Sequence, residues 1–461
     1  MPWTAAALRA NLRAAADVVA DYLEQVERYP VLPRVAPGEV AAALPASGPE
    51  AGEGFDAILS DYHRLIEPNV THWNSPGFLA YIAITGSGPG IVGELLAAGL
   101  NVNAMLWRTA PAAVELEERV CDWVRQWVGL PEAFVGHIND TASIGVLLAL
   151  AAARHRACPE LRERGVTGPP RVVYTSDQAH SSVDKAAITL GLGLAQVRRI
   201  PSDAAFRFDP EALARAIAAD RAAGLLPLAI VATAGTTSTG SLDPLAAIAD
   251  VAQREGLWLH VDAAYGGGAA ICPEVRARLD GIERADSVVI NPHKWLFTPV
   301  DCSLLYVRDP RGLKATFSLV PEYLRTPEQG VTNLMDYGPQ LGRRFRSLKL
   351  WMVLRSYGAE GLRSTIRGHL QLARTFAGWV DADPRFERVA PVELGIVAFR
   401  YRGDDAENLA ILDRVNRDGR VFLSHSVLGG RTVLRVVVGH ARTEERHLAT
   451  AWALIRAAVG G

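Results

Sequence analysis

The run WLHVDAAYGG (258–267) decides the fold. Its first five residues, Trp258–Asp262, are the bulky and β-branched residues of a buried strand, and the small residues after them read as a turn. In an extended chain His260 and Asp262 face one side and Val261 the other. Short β-branched runs and Ala/Leu-rich stretches alternate on both sides of this strand. Further strands are expected at Arg171–Thr175, Ala195–Ile200, Ala229–Ala232, Ser287–Ile290 and Ser303–Val307. Helices at Pro210–Ala222 and Pro244–Glu255 fall between them, with Asp209 and Asp243 in the N-cap positions. This alternation predicts an α/β domain on a mainly parallel sheet, with the ligand at the carboxyl ends of the strands.

The flanks differ. Thr4 caps an expected amphipathic helix over residues 4–29, a Pro/Gly/Ala-rich arm covers 30–54, and a short helix follows at Phe55–Ile66. This segment has too little apolar surface to fold alone and is expected to pack on the main body or on a second subunit. Beyond the α/β region come a long helix at Ser347–Val380, a strand at Glu393–Arg400, a helix at Ala406–Arg417, a strand at Val433–Val438 and a closing helix from Thr443. The expected division is an N-terminal helical arm (1–74), a large domain (75–348) and a small α+β domain (349–461).

Composition removes several classes of function. The 461 residues are 49% hydrophobic and carry a net charge of −2, which argues against a nucleic-acid binder. No uninterrupted apolar run reaches the length of a membrane span, and Arg9, Arg13 and Asp17 break any signal-peptide core. Cys121, Cys158, Cys272 and Cys302 are too scattered for a disulfide framework or a zinc site, so a cytoplasmic protein is expected. Lysine chemistry is confined to Lys185, Lys294, Lys314 and Lys349.

Four clusters can carry chemistry. Asn291-Pro292-His293-Lys294-Trp295 follows a strand directly and sets Lys294 on a tight turn. Desolvation there lowers an amine's pKa and frees it to form a Schiff base, although a surface lysine has the same local sequence. Asp262, at a buried strand end, needs a partner. A protonated pyridinium nitrogen would serve, with Ala264 small enough for a flat ring to lie close; a turn-capping carboxylate is the plainer alternative. His180, in Asp177-Gln178-Ala179-His180, can stack on such a ring or move a proton, or simply bond backbone. Asn139-Asp140-Thr141-Ala142-Ser143 precedes a helix expected over Gly145–Arg154, and helix-start donors suit a phosphate. Thr141 or Ser143 can equally be an ordinary N-cap. Gly235–Ser241 has the glycine spacing of a P-loop, but Ser241 stands where the lysine must be. No metal-binding or serine-nucleophile motif occurs. A carboxylate, an imidazole, a phosphate seat and a lysine are together what pyridoxal 5′-phosphate requires.

The sequence resembles the group II pyridoxal-phosphate decarboxylases, above all the aromatic-L-amino-acid decarboxylases. The resemblance rests on HWNSPGFLAY (72–81), SDQAHSSVDKA (176–186), WLHVDAAYGG (258–267), NPHKWLF (291–297) and LGRRFRSLKLW (341–351), and runs from roughly residue 20 to the C-terminus. It implies a fold-type I architecture with a seven-stranded-type sheet, and an obligate homodimer with sites at the subunit interface. The implied reaction converts an aromatic L-amino acid to its arylalkylamine and CO2. By the same resemblance Lys294 is the Schiff-base lysine, Asp262 the partner of the pyridine nitrogen, His180 the ring-stacking histidine and Ala264 the contact on the other face. Thr233 and His260 are supporting polar residues, and Thr141, Ala142, Ser143, Asn291 and His293 form the phosphate and cofactor-contact region. Tyr337, in MDYG, matches the tyrosine of a mobile loop that protonates the product, and Gly330, Gly338 and Pro339 suit such a segment. Trp73, Tyr81, Ile82, Ala83 and Gly342 fall on the substrate wall.

The chain departs from the pattern in two places. The phosphate seat NDTASIG lacks the usual glutamate and glycines, and Ile82-Ala83 replaces Phe-Pro. Gly342, where histidine-specific members carry serine, favours a large aromatic ring over histidine. An aromatic aldehyde synthase is the main alternative, and in the family that chemistry accompanies loss of the loop tyrosine. A transaminase fits the motifs less well, and a cofactor-free scaffold would require all four groups to be vestigial.

Overall fold

The computed structural model describes residues 3–459. Seven strands form one sheet: β1 Val135–Asn139, β2 Arg171–Ser176, β3 Val197–Ile200, β4 Leu226–Thr233, β5 Trp258–Asp262, β6 Ser287–Ile290 and β7 Ser303–Val307, in the order β1-β7-β6-β5-β4-β2-β3. The pairs from β6 through β3 are parallel, while β7 runs antiparallel to both β6 and β1. All strands but β7 therefore point the same way, and their carboxyl ends share one edge.

The central strands are apolar on both faces because helices cover both. On one side Val146 and Leu150 of helix Ala142–Ala157 pack against Val173, Val231, Val289 and Leu305. On the other, Val120 and Val124 of helix Pro111–Val128 meet Val172, Ile230, Val261 and Val288. The alternation of neighbours such as Val172 and Val173 between the two cores is the period of two expected of a strand.

Several expectations need correction. β1 was not foreseen: Val-Gly-His-Ile-Asn has no apolar alternation, and its Gly136 is required because a Cβ would lie 2.6 Å from the Tyr306 ring. β3 begins at Val197, since Leu194–Gln196 form a 3-10 turn. The helix expected from Gly145 begins at Ala142. Thr4 and Asp209 do cap their helices, accepting from Ala7 N (3.1 Å) and from Glu211 N (2.9 Å). Asp243 does not cap: its carboxylate accepts from Phe208 N (2.9 Å) and Thr233 N (2.7 Å), and Pro244 holds the cap position.

The long helix is Arg346–Ala382, broken at Gly358, whose φ of 61° takes it out of the helical region. Leu350, Leu362 and Ile366 belong to the large core, whereas Phe376, Ala377 and Val380 belong to the small one. The small sheet is antiparallel, ordered β10-β11-β9-β8, with β8 Phe386–Arg388, β9 Ile396–Tyr401, β10 Ser424–Leu428 and β11 Arg431–Val437. Glu393, expected in a strand, instead accepts from Leu242 N (2.6 Å) and pairs with Arg278 (3.0 Å). No helix among the described residues is long and apolar enough to cross a membrane.

One buried ion pair fastens β1. Arg343 donates to Glu117 (2.7 Å) and to the Ile138 carbonyl (2.7 Å), and Glu117 accepts from Ile138 N (2.8 Å). Arg343→Ala leaves the Glu117 carboxylate buried and unpaired, a change that costs about 3–5 kcal/mol. A urea midpoint equal to that of the wild type would refute this.

Candidate active site

The strand ends assemble the site. Thr233 closes β4 and pairs in register with Asp262, which closes β5 and pairs with Val289 of β6. Beyond β6 the chain makes a single helical turn, Pro292–Trp295, that carries Lys294. The two turns are laced together: Asn291 N donates to the Ala264 carbonyl (3.2 Å), and Ala264 N donates to Asp262 Oδ1 (3.1 Å). Lys294 N in turn donates to the Asn291 carbonyl (3.0 Å).

The electrostatics join three of the expected residues. Burial lowers the pKa of Lys294, and the charge of Asp262 opposes that shift. Burial also lowers the pKa of His180; Asp262 pulls it up and Lys294 pushes it down. Lys294, Asp262 and His180 thus lie within one another's fields. His180 Nδ1 accepts from Ser182 N (3.1 Å), so the neutral ring carries its proton on Nε2.

The supporting residues fall around this centre. His260 Nδ1 bonds Ser287 Oγ (2.8 Å), and burial depresses its pKa to about 4. The Asn291 side chain accepts from Ser303 Oγ (2.7 Å). His293 Nδ1 accepts from Cys302 N (2.9 Å), and burial takes its pKa to about 3. Both side chains fasten the Lys294 turn to the start of β7. Thr141 stands at the cap position of helix Ala142–Ala157 but makes no side-chain cap; its N and Oγ1 turn to Asp140 Oδ1 (2.6 and 3.1 Å). The first-turn amides, at Ala142 and Ser143, keep their donors free of any side-chain cap.

The aromatic wall is built as Trp73 stacked on Phe78 (4.2 Å between centroids) and on Tyr81 (5.8 Å). Ala83 is buried and Ile82 packs on the main core. Gly342 is exposed, with nothing within 4 Å of where a Cβ would stand.

Tyr337, the expected proton donor, sits in a folded turn of the protomer. It ends a short helical turn, Leu334–Tyr337, whose first three residues are buried, and its ring lies 5.3 Å from that of His137. Neighbouring Asp336 is held by Lys314 (3.2 Å) and Ser318 (2.9 Å). Burial raises the phenol's pKa, and the charges acting on it are Glu118 and Asp336, neither Lys294 nor Asp262. In the stretch before Tyr337, Leu319 is 79% exposed.

Three supporting residues escaped the sequence reading. Thr85, fully buried, donates to the Lys294 carbonyl (3.5 Å); Ser303 and Asp243 orient Asn291 and Thr233. A lone hydroxyl at the edge of an apolar run, as in DCSLLYV, was the available signal.

The same edge fits a phosphorylated pyridine. The buried atoms Asn139 Nδ2 and Ser182 Oγ have no protein partner among the described residues, and the 16-residue helix that begins shortly after Asn139 has no side-chain cap. These are unspent donors of the kind a phosphate dianion attracts.

The pyridoxal-dependent decarboxylase conserved domain matches residues 37–402. The chain belongs to that family. Phenylacetaldehyde synthase of Arabidopsis thaliana is 43% identical over 459 residues, covering 95% of this decarboxylase and 93% of its own length. Tryptophan decarboxylase 1 of Oryza sativa subsp. japonica is 41% identical, covering 99% and 94%. The crystal structure of Oryza sativa TDC with PLP and tryptamine superposes with a TM-score of 0.96 at 40% identity, covering 99% of this chain and 98% of that one. The decarboxylase accordingly has the fold-type I architecture, and its cofactor is pyridoxal 5′-phosphate.

Proposed function

We propose that this decarboxylase acts on an aromatic L-amino acid, releasing CO2 and the arylalkylamine. The observation that carries the reading is the shared field of Lys294, Asp262 and His180 at the strand edge. Relatives and solved neighbours named for tryptophan and tyrosine decarboxylation support the aromatic class. Pyridoxal 5′-phosphate, when bound, supplies the sink for the electron pair that CO2 leaves behind. Lys294 offers an amine whose protonated form burial disfavours, so that it can take the aldehyde. Asp262 holds a proton at the ring nitrogen, His180 lies against the ring, and the start of helix Ala142–Ala157 takes the phosphate. The wall of Trp73 and Tyr81 takes the aromatic side chain.

The enzyme works as a homodimer in this reading. Helix Ala5–Gln25 exposes Leu8, Leu12 and Val19, and helix Gly88–Leu100 exposes Val92, Leu95, Leu96 and Leu100, more apolar surface than a monomer normally leaves in water. A monomer in sedimentation would remove this part of the proposal. The cysteines are all free, which supports a reducing, cytoplasmic setting.

The proton that replaces CO2 at the α-carbon needs a donor free to approach it. We assign this step to the Tyr337 phenol, the residue that the resemblance of the MDYG segment implies. A panel of tryptophan, phenylalanine, tyrosine, DOPA, 5-hydroxytryptophan, histidine and glutamate, followed by CO2, amine, peroxide and ammonia, tests the whole reading. The wild type should give amine from the aromatic members alone. Tyr337→Phe should divert most turnover, with O2 as the oxidant, to aldehyde, peroxide and ammonia, the outcome that aldehyde-synthase relatives make chemically accessible. Amine from histidine or glutamate alone, or unchanged products from Tyr337→Phe, would overturn it.

A further inference from the structure

The turn that carries Lys294 is braced from behind. The indole of Trp295, next in sequence, is buried and stacks on Tyr265 at 4.6 Å between centroids with 18° between planes. Tyr265 belongs to the Asp262 turn, so the stack ties the two turns together. Each ring is also tethered. Tyr265 Oη accepts from Gly395 N (3.1 Å), and Trp295 Nε1 donates to His369 Nδ1 (2.9 Å). Gly395 must be glycine, because a Cβ there would stand 2.8 Å from Tyr265 Oη and 3.2 Å from the Trp295 ring.

His369 is positioned to transmit. It is buried on the second half of helix Arg346–Ala382, between Ile366, which lies in the large core, and Ala373, which lies in the small one. An indole N–H can only donate, so Nδ1 of His369 must be unprotonated, which puts the ring proton on Nε2. The His440 carbonyl, just beyond β11, is the backbone group that favours that proton. The bonds run from the small domain through His369 to Trp295 and so to the residue bonded to Lys294.

We infer that His369 is a positioning residue: by accepting the Trp295 N–H it sets the angle of the Lys294 turn, so that the small domain's seating governs the reach of Nζ. This rests on Lys294 being the amine of the site, which Lys294→Ala decides separately. A shift of 1 Å in a reacting group can cost up to about a hundredfold in rate.

Leucine and asparagine have nearly the same size and shape, but only asparagine can accept the indole N–H. His369→Leu should lower kcat about tenfold while KM changes less than about twofold, and should speed release of pyridoxal 5′-phosphate from the enzyme by a similar factor. His369→Asn should recover most of both. In a Trp295→Phe background, which keeps the stack and removes the donor, His369→Leu should add less than about twofold. Equal losses in the Leu and Asn variants, or the same loss from His369→Leu with and without Trp295→Phe, would overturn the inference. If His369→Leu does not fold, the same comparison between His369→Asn and Trp295→Phe decides: the first should stay within about threefold of wild type and the second should not.

Discussion

Lys294→Ala should release no measurable CO2 from any amino acid and should lose the absorbance of the lysine-linked cofactor. Removing an enzyme's covalent nucleophile costs roughly 10^4–10^6 in turnover, so the residual rate should vanish into background. The structure separates this outcome from unfolding. An amine held out of water is a burden on the fold, and replacing it by a methyl relieves that burden. The cofactor-free variant should therefore unfold no earlier than the cofactor-free wild type. The sign of the pH dependence follows from the lowered pKa. Between that folded-state value and the ordinary value near 10.4, the unfolded chain binds more protons than the folded one. Stability of the cofactor-free wild type should then rise with pH across that window, and Lys294→Ala should flatten the rise. Turnover within tenfold of wild type would remove Lys294 from the chemistry. An unaltered pH profile would remove the burial argument.

What could be read from residues alone follows the strength of the local signal. β4, β5 and β6 are apolar on both faces, and no tertiary knowledge is needed to see them as central strands. The placement of Asp262 and Lys294 beyond strands was legible for the same reason, each being a charge after such a run. β1 was not, because its identity comes from neighbours: Gly136 answers to the Tyr306 ring and Ile138 N to the buried Glu117. Asp243 sits before a helix and reads as a cap, yet it closes a loop onto Thr233 and Phe208, partners 10 and 35 residues away. Around Tyr337 the glycines suggested a mobile segment, whereas Leu334, Met335 and Asp336 are buried, and burial is not written in local sequence. His369 lies on an ordinary helix, and only the fold reveals that it faces an indole.

Asp262→Asn should be nearly as damaging while leaving the architecture intact. The amide keeps an oxygen to accept from Ala264 N, so the turn that joins Asp262 to Asn291 and Lys294 need not move. What disappears is the charge. Asp262 raises the pKa of Lys294 against burial and does the same for His180, so both should fall further in the variant. The chain has only four lysines, so their resonances in an isotope-labelled cofactor-free sample can be assigned by single substitution and titrated individually. The Lys294 signal should titrate at lower pH than in the wild type. In the loaded enzyme an amide cannot hold the ring nitrogen protonated, and a fixed charge aimed at a developing charge is worth about 10^2–10^3 in kcat. Asp262→Glu restores the charge but lengthens the arm by a methylene, so it should recover the Lys294 titration more fully than it recovers kcat. If Asp262→Asn keeps kcat within a factor of ten, or if the Lys294 pKa rises, then Asp262 is a turn-capping carboxylate and the electron sink is controlled by another group.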